Sequence, residues 1–105
     1  MSVLRRYEIL LPSQFNDGRR VPEEFLAAAL FDLERQFGAV SCETQTIHGF
    51  WQNQGESFRD PLVRVFADVE DTPVNRQFFI QFKERLKTRF QQHEIWMTTY
   101  LVEII

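Results

Sequence analysis

The apolar and polar positions divide the chain into segments of two periodicities. From Leu62 to Val69 the period is two: Val63, Val65, Ala67 and Val69 form one row, and Leu62, Arg64, Phe66 and Asp68 form a mixed row opposite. That alternation, rich in β-branched residues, predicts a half-buried strand. Asp71-Thr72-Pro73 follows at once, with Thr72 placed to cap a helix and Pro73 at its first position. Phe78, Phe79, Phe82, Leu86 and Phe90 then recur at helical spacing and predict an apolar stripe. A strand that leads directly into such a helix folds the stripe back over its own apolar row.

The remaining segments read in the same way. Val3 to Leu11 alternates as a first strand, ended by Pro12, and Asn16-Asp17-Gly18 marks a turn. Val21-Pro22-Glu23-Glu24 opens a helix, with Pro22 expected at its first position and two carboxylates at the positive end of the dipole. Leu26, Leu30, Leu33 and Phe37 make its buried stripe, and Gly38 stops it. Val40 to Trp51 predicts a second strand, polar enough to be an edge, and Gln52 to Glu56 a hairpin loop. Ser57 to Val69 returns as the third strand, with an irregular start at Pro61. Glu94 to Ile105 is expected to be the last strand, with Trp96, Tyr100, Val102 and Ile104 on one face and Ile95, Met97 and Leu101 on the other.

The order β-α-β-β-α-β is the split βαβ arrangement. It predicts one α+β domain over residues 1–105, a four-stranded antiparallel sheet with two helices on one face. The arrangement resembles the ferredoxin-like superfold across nearly the whole chain. Leu11-Pro12 with Asn16-Asp17-Gly18, Phe37-Gly38 and Glu94-Ile95-Trp96 resemble stretches of small uncharacterised bacterial proteins of this kind. No named family and no catalytic residue come with that resemblance, and the superfold hosts many unrelated functions.

Two helices on one face leave the other face open. If the Val63 row faces the helices, Leu62, Arg64, Phe66 and Asp68 face outward, as do Arg6, Glu8 and Leu10. With the first and third strands as central neighbours, Arg6, Glu8, Arg64 and Asp68 are expected to cluster around Phe66. Glu43, Gln45, Ile47 and Trp51 join them if no bulge shifts the parity. The candidate binding residues are therefore Arg6, Glu8, Trp51, Arg64, Phe66 and Asp68. An apolar open face of this kind calls for an occupant. Three fit it: a second copy of the chain, a small molecule anchored by the charged cluster, or a different protein.

Composition narrows the functions. With 105 residues, 44% hydrophobic and 26% charged, the chain has globular values, and most of its 11 phenylalanines are expected in the core. A net charge of −3 gives no electrostatic reason to expect nucleic acid. A third reading nonetheless is a nucleic-acid binder working through the basic second helix, with Arg76, Lys83, Arg85, Lys87 and Arg89 against Glu84. Cys42 is the single cysteine, so no intrachain disulfide forms. Neither a signal peptide nor a membrane span is visible, and a soluble cytoplasmic protein is expected. His48 is the best acid–base candidate, and His93 suits the end of a helix. No metal-ligand spacing and no phosphate loop is present, and no cofactor is expected. The leading expectation is a homo-oligomeric accessory or interaction protein. The rival is a cofactor-independent enzyme of the dimeric α+β barrel kind, acting on a small organic molecule.

Overall fold

A computed structural model describes residues 2–105. The elements run β1 (Ser2–Pro12), α1 (Glu23–Phe37), β2 (Ser41–Asn53), β3 (Glu56–Val69), α2 (Pro73–Arg89) and β4 (Met97–Ile104). All strand pairs are antiparallel, in the order β2-β3-β1-β4. This is the ferredoxin-like sandwich, with the polar strand β2 at one edge as its composition predicts.

Strand alternation sorts the side chains between the two faces. Tyr7, Ile9 and Leu11 of β1 and Val65, Ala67 and Val69 of β3 are buried beneath the helices. They meet Ala29 and Leu33 of α1 and Phe79, Phe82 and Leu86 of α2, all 1% exposed or less. Phenylalanines supply much of the contact: Phe79 stacks on Tyr7 at 3.9 Å between ring centroids, and Phe37 meets both Phe78 and Phe79. The Tyr7 hydroxyl is buried there without a hydrogen-bond partner. Because an unsatisfied buried hydroxyl costs roughly 1 kcal/mol or more, Tyr7→Phe should raise stability, read as a higher urea midpoint. A lower midpoint would show that the hydroxyl has a partner in solution.

The helix ends follow local chemistry. Thr72 Oγ1 accepts from the Asn75 N–H at 3.1 Å and Pro73 opens α2. Gly38 closes α1 in the left-handed region at φ 84°, its N–H donating to the Glu34 carbonyl. Pro22 sits one position earlier than expected: at φ −57° and ψ 140° it is the cap residue rather than the first helical one.

Three strand boundaries also differ from the expectation. The β2–β3 hairpin turns on Gln54-Gly55 alone, both with positive φ, so the strands extend to Asn53 and Glu56. Two-residue turns of this geometry match the twist of the flanking strands. Pro61 lies inside β3 without interrupting it. Its carbonyl accepts the Ser13 N–H beyond the end of β1, and the Ser13 carbonyl takes its hydrogen bond from the Val21 N–H, so the donor that Pro61 lacks leaves no group unpaired there. At the other edge, β4 begins at Met97, and Glu94-Ile95-Trp96 forms the approach to it. Glu94 ties that approach down: Oε1 accepts from Lys83 Nζ at 3.0 Å and from the Ile95 N–H at 3.0 Å. The Lys83 ammonium holds the Glu94 carboxyl below its usual range, so this contribution is complete above the ordinary carboxylate range and lost as pH falls through the lowered value. Glu94 is more than half exposed, and solvent screening keeps the effect small.

Candidate functional site

The uncovered face carries the candidate residues in two groups. In the first, cross-strand register sets Arg6 opposite Asp68, Glu8 opposite Phe66 and Leu10 opposite Arg64. Arg6 and Asp68 form a two-pronged pair, Nε to Oδ1 at 2.8 Å and Nη2 to Oδ2 at 3.0 Å. That bonding holds the Arg6 guanidinium firmly in its charged form, its pKa raised chiefly by the Asp68 hydrogen bonds. Arg64 lies 3.6 Å from Glu8 and 3.5 Å from Glu43, and the Tyr100 hydroxyl donates to Glu8 at 2.6 Å. Both guanidiniums lie over the Phe66 ring, at 4.4 and 5.0 Å from its centroid. The expected cluster of Arg6, Glu8, Arg64 and Asp68 around Phe66 is therefore assembled, half-buried and internally paired. Tyr100 is the member that pattern reading does not place in it.

Along β2 the parity survives a bulge. Glu43 pairs with Arg64 and Ile47 with Leu62, so four positions of β2 span two of β3. Glu43, Ile47 and Trp51 thereby stay on the open face, whereas Gln45 falls within the irregularity and has no register partner.

Trp51 stands apart from the Phe66 cluster and belongs to a second group at the end of the sheet. It stacks on Phe58 at 4.3 Å and meets His93 edge-on, and its indole N–H donates to Asp60 Oδ2 at 2.5 Å. Asp60 is 8% exposed, the one charged residue among the buried ones described. A cavity of about 420 Å³ opens beside it. Leu10 and Leu62 form its floor, and Trp51 and Trp96 stand toward opposite edges of the sheet. Gly49 makes room for this floor: a Cβ there would come within 2.9 Å of the Leu62 side chain.

The remaining candidates lie elsewhere. His48 pairs with Pro61 on the opposite side of β2, exposed in a shallow depression with Gln14 and Arg59, and it does not reach either group. Cys42 lies on the helix side of β2 beside the core, and burial pushes its thiol pKa up, which leaves it a weak nucleophile at neutral pH. The cations of α2 are largely engaged: Lys83 with Glu94, Lys87 with Glu84, Arg89 with Asp32, and Arg85 over Phe78 and Phe82. Among the described residues, no three His, Cys, Asp or Glu side chains gather closely enough to hold a metal ion.

Fold and open face together define an α+β protein of the ferredoxin-like class. Among solved structures, a phage SAM lyase in complex with S-methyl-5′-thioadenosine is similar over 96% of this chain and 90% of its own, with a TM-score of 0.68 at 11% identity. The divalent cation tolerance protein CutA1 from Thermus thermophilus is similar over 96% of this chain and 84% of its own, with a TM-score of 0.60 at 17% identity. At such identities the similarity is one of fold. No family model and no curated protein matches the chain. No helix is long and apolar enough to cross a membrane among the described residues.

Proposed function

We propose that the chain is a small, soluble, cytoplasmic accessory protein of one domain that associates with copies of itself through the open face of its sheet. The observation that supports this most is the internal pairing around Phe66. Arg6 with Asp68, and Arg64 with Glu8 and Glu43, already form ion pairs on that face, so each charge of the cluster has a partner. A second copy can therefore cover Phe66 and its apolar surround without stranding an unpaired charge, the usual penalty of burying ions. Ile47, Tyr100 and Ile104, each more than a third exposed, share that face and would be withdrawn from water with the cluster. Size-exclusion chromatography with light scattering at micromolar concentration tests the reading. A mass that is a multiple of the chain's own is expected, and a monomer would remove the proposal.

A second reading, an enzyme acting on a small organic molecule, is favoured by the cavity at the sheet's end. Its volume is within the usual range for ligand sites, and a protein of similar fold holds S-methyl-5′-thioadenosine. Asp60 and Trp51, rather than His48, are the side chains positioned to meet such a molecule. Calorimetric titration with S-methyl-5′-thioadenosine should give saturable heat. Its absence at ligand concentrations up to about 1 mM would count against this reading.

A further inference from the structure

Asp60 is buried, yet among the described residues it pairs with no lysine, arginine or histidine, and its one hydrogen bond comes from the Trp51 indole. Buried carboxylates are ordinarily matched by a cation or by several donors. The residues around the cavity offer no match: they include two carboxylates, Asp60 and Glu94, and no basic side chain. Glu94 is already held by Lys83. Arg59 is directed over the Phe50 ring, and Arg64 toward Glu8 and Glu43. Among the described residues no cation is placed against Asp60, His93 meeting the Trp51 ring edge-on without bonding the carboxylate, while the space beside Asp60 is open.

The walls add a second requirement. Leu10 and Leu62 present an apolar floor, and Trp51 and Trp96 supply the aromatic surfaces with the strongest attraction for cations. The Trp51–Asp60 hydrogen bond fixes the ring and one carboxylate oxygen and leaves the other oxygen free to accept. We infer that this cavity is a binding site for an organic cation, specifically an ammonium carried on an aromatic or aliphatic body, with Asp60 as its counter-ion. The inference extends the small-molecule reading to a ligand class and requires no catalysis.

The chain's two tryptophans both line the cavity, so intrinsic fluorescence reports on it directly. The probes are 2-phenylethylamine, charged at neutral pH, and two comparators of similar shape, neutral 2-phenylethanol and anionic 3-phenylpropionate. The amine should shift tryptophan emission saturably, with a dissociation constant at least about tenfold below either comparator's, the scale of one charge-assisted hydrogen bond. Asp60→Asn keeps an acceptor for the indole and removes the charge, so the preference should vanish while emission from the free protein changes little. If all three probes saturate equally, the cavity binds small molecules but the cation assignment is wrong. If none saturates up to about 10 mM, the cation assignment is wrong, and the S-methyl-5′-thioadenosine titration decides the small-molecule reading separately. Retention of the preference in Asp60→Asn also overturns the assignment. Should that variant fail to fold, the three-probe comparison on the unaltered protein still decides.

Discussion

Phe66→Glu is expected to abolish the self-association proposed for the open face without unfolding the chain. In the isolated chain a carboxylate at this position lies between two guanidiniums that now rest on the Phe66 ring, those of Arg6 and Arg64. Because the site is only half-buried and two guanidiniums flank it, the monomer tolerates the change. In an assembly built on this face the same carboxylate is covered, and it adds to Asp68, Glu8 and Glu43 already there. Losing the aromatic anchor and burying a charge at the centre of an interface should weaken association by roughly 2–4 kcal/mol, or about thirtyfold to a thousandfold. Sedimentation or light scattering across a concentration series measures the shift, and circular dichroism checks the fold. A variant that stays assembled at the original concentration would place the interface elsewhere.

Phe82→Ala tests the opposite face and should have the larger effect on stability. Phe82 is fully buried, stacked with Phe78 at 5.5 Å between centroids on the side of the sheet that the helices cover. Removing a buried ring forfeits its transfer free energy and leaves a cavity among rigid aromatic neighbours, a loss of about 3–5 kcal/mol. Chemical denaturation should show a sharply lower midpoint with little change in slope. A loss below about 1 kcal/mol would mean that the α2 stripe is not packed as described. The two phenylalanine variants therefore separate the functions of the two faces. Phe66→Glu changes the mass in solution and spares the midpoint, and Phe82→Ala lowers the midpoint.

Much of the architecture is legible in the chain because local periodicity and capping agree with the global fold. The Val63-Val65-Ala67-Val69 row, the Thr72-Pro73 start of α2 and the Phe37-Gly38 stop of α1 each act through neighbours a few residues away. The cluster around Phe66 is also legible, since it needs only strand parity and the β1–β3 pairing that this element order favours. The end of the sheet is harder to read. Pro61 suggests that regular alternation begins after it, which hides the fact that Asp60 and Phe58 continue the row of Leu62, Arg64 and Phe66. A tighter turn at Gln54-Gly55 is the available signal, because it sets Trp51 directly opposite Phe58. Trp96 reads as part of β4 by its alternation, whereas it precedes the strand and enters the cavity's edge through the Leu10 N–H bond to its carbonyl.

The sequence alone determined which residues alternate, where helices start and stop, and hence that one side of the sheet is sheltered and the other is not. These are properties of neighbours along the chain, governed by steric limits and by the cost of leaving backbone groups unpaired. Only the tertiary structure decided that Asp60 is buried with no cation against it among the described residues, and that Trp51 and Trp96 share one cavity. It also showed that His48 faces away from both groups. Those facts depend on how far a hairpin extends and how a bulge preserves parity across strands, which are energies of long-range packing that no short window of sequence contains.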